Sequence, residues 1–164
     1  MSAKTFVDRL RFVESVIATV AYAVVAGLLI ADVVGRELFD ASFLGSQQLA
    51  VYGAIIAGFL GLTLATSDNS HLRPAFMDFV FKRFESKVQR LGDGVSAVFF
   101  LIAAYVAWTF VTQSMDSQDK APVLYFVVWP LQLVIPYAFI SAGVKHLIFA
   151  WQPELKVTPN ESVR

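Results

Sequence analysis

Four stretches of this chain carry almost no ionised side chain, and nothing else limits its fold so tightly: about 15–35, 49–65, 95–111 and 123–150, with Lys145 near the end of the last. Apolar runs of that length are the mark of bilayer spans, since a helix satisfies its own backbone polar groups and hydrocarbon offers them no other partner. Composition agrees: 57% of the 164 residues are hydrophobic and 16% charged, where soluble domains lie nearer half and a quarter. The expected fold is an all-α integral membrane protein. It is a single membrane domain over 1–164 with four transmembrane helices. The second and third runs are short, because 17 residues rise about 25 Å against a core of about 30 Å, and polar flanks must snorkel to cover the difference. A basic start (Lys4, Arg9, Arg11) before an apolar run also fits a signal peptide, but this run exceeds a signal core and no cleavage pattern follows it. An uncleaved first span is expected.

Charge asymmetry orients the spans. Of the 13 Lys and Arg residues, eleven lie before the first run, between the second and third, or at and after the inner end of the fourth; only Arg36 and Lys120 lie in the other two loops. The positive-inside rule then places both chain ends in the cytoplasm. The connection from Thr66 to Gly94 has a pattern of its own. Phe76, Phe79, Val80, Phe84, Val88 and Leu91 recur at helical spacing, cations occupy much of the rest, and Pro74 stands where a helix can begin. An amphipathic interfacial helix is expected over about 74–91, its aromatic rings in the membrane interface and Arg73, Lys82, Arg83 and Lys87 at phospholipid headgroups. The plainer alternative is an amphipathic segment docked on protein.

Small residues recur every fourth position in the first two spans: Gly27, Ala31 and Gly35 in one, Gly53, Ala57, Gly61 and Ala65 in the other, with Gly58 beside them. Such rows let helix backbones approach where no hydrophobic force drives them together. Packing within the bundle and a face for another subunit are both open. In the fourth span Pro130 and Pro136 flank Gln132, with Trp129 just before, so a bend or local unwinding is expected there. Gln132 is then placed to bond a freed carbonyl, although a broken helix can also form a transport site. Asp32 lies inside the first span, four residues before Arg36, so an ion pair on one helix face is expected rather than a proton site. Glu14, at the entrance of that span, reads as a solvated boundary residue. Arg36 is also a candidate membrane-interface or lipid contact, and Trp108 and Trp129 read as depth anchors.

Much chemistry has no residues to support it. The chain has no cysteine, which removes disulfides, thiolate metal sites and cysteine nucleophiles. The two histidines, His71 and His146, are not placed for a haem between spans, as a membrane anchor of an oxidoreductase would need. No phosphate-cradling glycine loop or nucleophile with a base is present, and the basic loop faces lipid more readily than nucleic acid. No catalytic, substrate-binding or metal residue and no cofactor is expected. A small multidrug-type exporter working as a homodimer is the stand-alone alternative. It needs a membrane-embedded carboxylate, which Glu14 and Asp32 supply poorly on these readings.

Several landmarks stand in order along the chain: Gly35-Arg36-Glu37-Leu38-Phe39, Gln47-Gln48-Leu49, Gly58-Phe59-Leu60-Gly61, Ser70-His71-Leu72-Arg73, and Trp129-Pro130-Leu131-Gln132-Leu133-Val134-Ile135-Pro136. With them the chain resembles, over nearly its whole length, the small Q-type (DctQ-like) membrane subunit of tripartite ATP-independent periplasmic (TRAP) transporters. It departs from that pattern at Gln47 and Gln48, where acidic residues are common, and at Pro74 and Ala75, where an aspartate soon follows the histidine. The resemblance implies a non-catalytic subunit in a bacterial inner membrane. It would scaffold a larger multi-span subunit that carries substrate and sodium, with a periplasmic substrate-binding protein delivering organic acids. Gly53, Ala57, Gly58, Gly61, Pro130, Gln132 and Pro136 are the candidate packing or subunit-interface positions.

Overall fold

The computed structural model describes residues 3–40, 44–67 and 85–152. They form α1 (Ala3–Phe39), α2 (Ser46–Ser67), α3 (Glu85–Ser117), the short α4 (Trp129–Gln132) and α5 (Val134–Trp151). Four helical stretches, with α4 and α5 taken as one, are long and apolar enough to cross a membrane. Among the described residues there is no strand, only an isolated antiparallel bridge between Lys120 and Val127.

Each of the first three helices outruns its apolar run. The 22 residues of α2 rise about 33 Å, which removes the shortfall of its charge-free core. The hydroxyls such an extension brings in are satisfied locally: Thr66 donates to the Leu62 carbonyl (3.0 Å) and Ser67 to that of Thr63 (3.1 Å). The helix α3 runs unbroken from Glu85 through Gly92 and Gly94. The last residues of the expected interfacial helix therefore continue the third span, with Lys87 in the first turns and Leu91 exposed. The remainder of that expected helix, with Phe76, Phe79, Lys82 and Arg83, lies outside the described residues, as do Arg73 and His71.

Antiparallel α1 and α2 pack along each other, as do α3 and α5, and α2 against α5 joins the two pairs. The outer helices use one narrow seam each. On α1 the covered positions step by threes and fours through Val7, Leu10, Glu14, Ala18, Ala21, Val25, Leu28, Asp32 and Gly35; on α3 through Asp93, Ala97, Phe100, Ala104, Ala107, Val111 and Ser114. That is the 3.5-residue spacing of left-handed helix pairs. Much of the rest of both helices, including Phe12, Val16, Val24, Ile30, Phe99, Tyr105 and Trp108, is exposed apolar surface. By contrast α5 is central, burying Ala138, Ser141, Ala142, Gly143, Lys145, His146 and Phe149.

Two expectations about the fourth span need correction. It starts at Trp129, not 123: residues 120–127 fold into a bridged turn in which the Ala121 and Tyr125 amides donate to the Phe126 and Ala121 carbonyls. Val123 and Tyr125 there take left-handed φ of 67° and 54°, which a β-branched residue adopts only at a cost. Two apolar residues of this turn cap the bundle instead of extending the helix. Leu124 lies over Gly45, which has φ 88° and no room for a Cβ, and Phe126 meets Tyr52 edge-on at 5.8 Å. The proline-flanked break is confined to Leu133, whose φ and ψ stay near helical at −58° and −22°. Pro136 has no N–H to return to Gln132; Gln132 Oε1 is buried without a hydrogen-bond partner, and among the described residues its amide N–H groups donate to no freed carbonyl.

Candidate functional site

One face of α5 presents Tyr137, Ser141 and Lys145 at successive fourth positions, which a helix stacks one above another. All three point at Glu14 of α1. Ser141 and Lys145 each donate to the carboxylate at 2.5 Å, on Oε1 and Oε2, and the Tyr137 hydroxyl donates to Oε1 at 3.3 Å. The Lys145 ammonium also donates to the Thr63 carbonyl of α2 at 2.8 Å. Both charged side chains are wholly buried. Three helices from both halves of the chain thus meet at one ion pair.

The local sequence makes that meeting possible. Thr63 turns its hydroxyl back to the Leu60 carbonyl at 2.7 Å, so its own carbonyl is the group left facing Lys145. Small residues let the elements close around it: Ala18 follows Glu14 on the α1 seam, and Ala138 and Ala142 are fully buried on α5. The junction lies about one to three turns inside the bundle end that carries the chain termini. Glu14 is therefore not a solvated boundary residue. Carbon surrounds it, and a carboxylate there is tolerable only because three donors saturate it.

Next to the junction, His146 turns to the other side of α5. Its Nδ1 lies 3.2 Å from Asp93 Oδ1 of α3, and its ring stacks on Phe100 with centroids 5.5 Å apart. Phe100 continues to Phe139, and Phe139 to Phe59 of α2. An aromatic chain therefore fastens α3 to α5 and α2 at the depth where the ion pair fastens α1.

Among the residues singled out from sequence, Asp32 and Arg36 do come together, Nη2 to Oδ2 at 3.0 Å, with the Arg36 side chain half exposed. Gly53 takes the close approach: a Cβ there would lie 2.6 Å from Val25 Cγ2 of α1. Ala57 is fully buried. Gly58 and Gly61 meet nothing within 4 Å of an added Cβ among the described residues, so neither makes a close approach to another described helix. Gly27 is equally open. Pro136 is buried, Pro130 and Trp108 are exposed, and Trp129 is half-buried. Glu14, Thr63, Ser141, Lys145, Asp93 and His146 were missed as a group. One signal could have found the core of it: a lysine and a glutamate at matching depth in two different spans, the lysine without an opposite charge on its own helix face. No group of three or more potential metal ligands occurs among the described residues.

In this arrangement the Glu14 carboxylate and the Lys145 ammonium are engaged with one another and buried. What it can do is hold helices in register. A family model described as "Tripartite ATP-independent periplasmic transporters, DctQ component" matches residues 9–154. No curated protein and no solved structure matches.

Proposed function

The chain belongs to the DctQ component family of tripartite ATP-independent periplasmic transporters, and from that premise we propose that it is the rigid membrane footing of a secondary transporter. It is a small multi-pass subunit of such a transporter. On our reading a much larger multi-span subunit carries the organic acid and the coupling sodium ions, and a periplasmic binding protein delivers the substrate. Both chain ends lie in the cytoplasm of a bacterial cell and the membrane is the inner one, as the eleven cations at that end favour.

One observation carries the scaffold role: the buried Glu14–Lys145 pair, closed by Ser141, Tyr137 and the Thr63 carbonyl, fixes three helices to one another. A subunit that moved substrate itself would have to open such a site, and removing either partner of a buried pair costs about 3–5 kcal/mol. A footing needs the reverse, an interior that does not rearrange and an exterior that others can grip. The seams of α1 and α3 leave most of both helices free for lipid and partner. The exporter alternative would require Glu14 to bind cargo, and Lys145 already holds it.

Purification from the native membrane in mild detergent tests this. We expect a multi-span protein several times larger to accompany the chain in fixed ratio. Recovery only as a homodimer that transports cations after reconstitution would sink the proposal.

A further inference from the structure

At the end of the bundle away from the chain termini, the last turns of α1, the start of α2 and the loop after α3 enclose a cleft of about 790 Å³. Its polar floor is rich in donors. The Arg36 guanidinium spends Nη2 on Asp32 Oδ2 (3.0 Å) and Nε on the Asp32 carbonyl (3.4 Å). A guanidinium has five N–H groups, so others remain for a second oxygen ligand. Ser46 lines the cleft with the residue only 4% exposed, and no hydrogen bond joins its hydroxyl to a described residue. Ser46 also opens the 22-residue helix α2, whose first amides have no carbonyl within the helix to bond. The amides of Gln47 and Gln48 border the same space without adding charge.

The rim is of another kind. Val51 and Val123, both more than half exposed, stand beside those donors, Val51 on the second turn of the apolar helix α2. A small free anion gains nothing from apolar walls, whereas an amphiphile uses both parts.

We propose that this cleft seats the phosphate diester headgroup of a membrane phospholipid, its phosphate on Arg36 and Ser46 at the start of α2 and its acyl chains descending past Val51. Asp32 holds the guanidinium in place and leaves its outer edge to the phosphate. The site does not depend on the transport role.

The full chain, with any subunit that accompanies it, is reconstituted in vesicles of phosphatidylcholine and phosphatidylglycerol, re-extracted in mild detergent, and weighed by native mass spectrometry. A retained phospholipid is expected. Arg36→Gln removes a charge-assisted contact and should lower occupancy about tenfold. Because that change leaves Asp32 unpaired, Gln47→Glu with Gln48→Glu is the second variant: it repels phosphate at the cleft mouth, leaves the ion pair intact, and should strip the lipid as well. Equal retention by the wild type and both variants would overturn the site. If inorganic phosphate alone raises the thermal midpoint in an Arg36-dependent way while no lipid is retained, the ligand is a free anion and the lipid assignment fails.

Discussion

Two carboxylate–cation pairs sit at opposite ends of this bundle, and they differ in almost every physical respect. Asp32 and Arg36 are four residues apart on one helix, with the guanidinium half in solvent. Glu14 and Lys145 are 131 residues apart, on helices from different halves of the chain, with neither side chain exposed. The first pair forms whenever α1 forms, so it says nothing about tertiary structure. The second forms only when the α1–α2 and α3–α5 hairpins have met, and until then each half holds an uncompensated charge in or near hydrocarbon. A local pair decorates a helix. A distant, buried pair selects one arrangement of helices.

Removing one charge from the distant pair is the strongest way to break the contrast. Lys145→Met leaves Glu14 buried with only hydroxyl donors and should destabilise the bundle by about 3–5 kcal/mol, read as unfolding in mixed micelles titrated with a denaturing detergent. Glu14→Met should do similar harm by removing the ammonium's counter-charge. The double variant sharpens the point, because two thioethers of similar volume need no partners and should recover most of the loss. If the double variant is as unstable as the singles added together, the two residues do not act as a pair and the junction is not what joins the hairpins.

The next effect concerns glycines that look alike in sequence. Gly53→Leu must displace Val25, whose Cγ2 would lie 2.6 Å from the new Cβ, and overpacking of that kind costs about 1–3 kcal/mol. Gly58→Leu meets open space. The isolated chain should tolerate it within roughly 0.5 kcal/mol, as surface changes usually are. In the assembled transporter Gly58→Leu has a second readout. If co-purification of a larger subunit falls while the chain's own stability holds, that face is an interface; if both hold, it faces lipid.

These contrasts show where sequence reasoning reached and where it stopped. The four helices were legible because hydropathy and charge are local sums, and the Asp32–Arg36 pair because its partners are one turn apart. The 123–128 segment misled for the same reason: its hydropathy equals that of a span, and only left-handed backbone at Val123 and Tyr125 and contacts with Gly45 and Tyr52 turn it into a cap. Glu14 misled because a carboxylate near a helix entrance is normally solvated, and its three donors lie more than 120 residues away. Tyr137, Ser141 and Lys145 do share a face that spacing alone reveals. What spacing cannot supply is the element that face meets.

The smallest effect comes from the pair that was easiest to read. Arg36→Gln removes a cation from a helix end where solvent already screens it, and pairs spaced four apart on an exposed helix contribute about 0.3–0.5 kcal/mol. Asp32 is more buried than its partner but opens on a cleft that water can enter, which limits the cost of leaving it alone. Unfolding in mixed micelles should therefore shift by no more than about 1 kcal/mol, and less still at high salt, where screening takes over what the pair contributed. A loss comparable with that of Lys145→Met would mean that Arg36 holds something besides Asp32 together. In that case the cleft, and whatever fills it, would be part of what keeps the far end of the bundle closed.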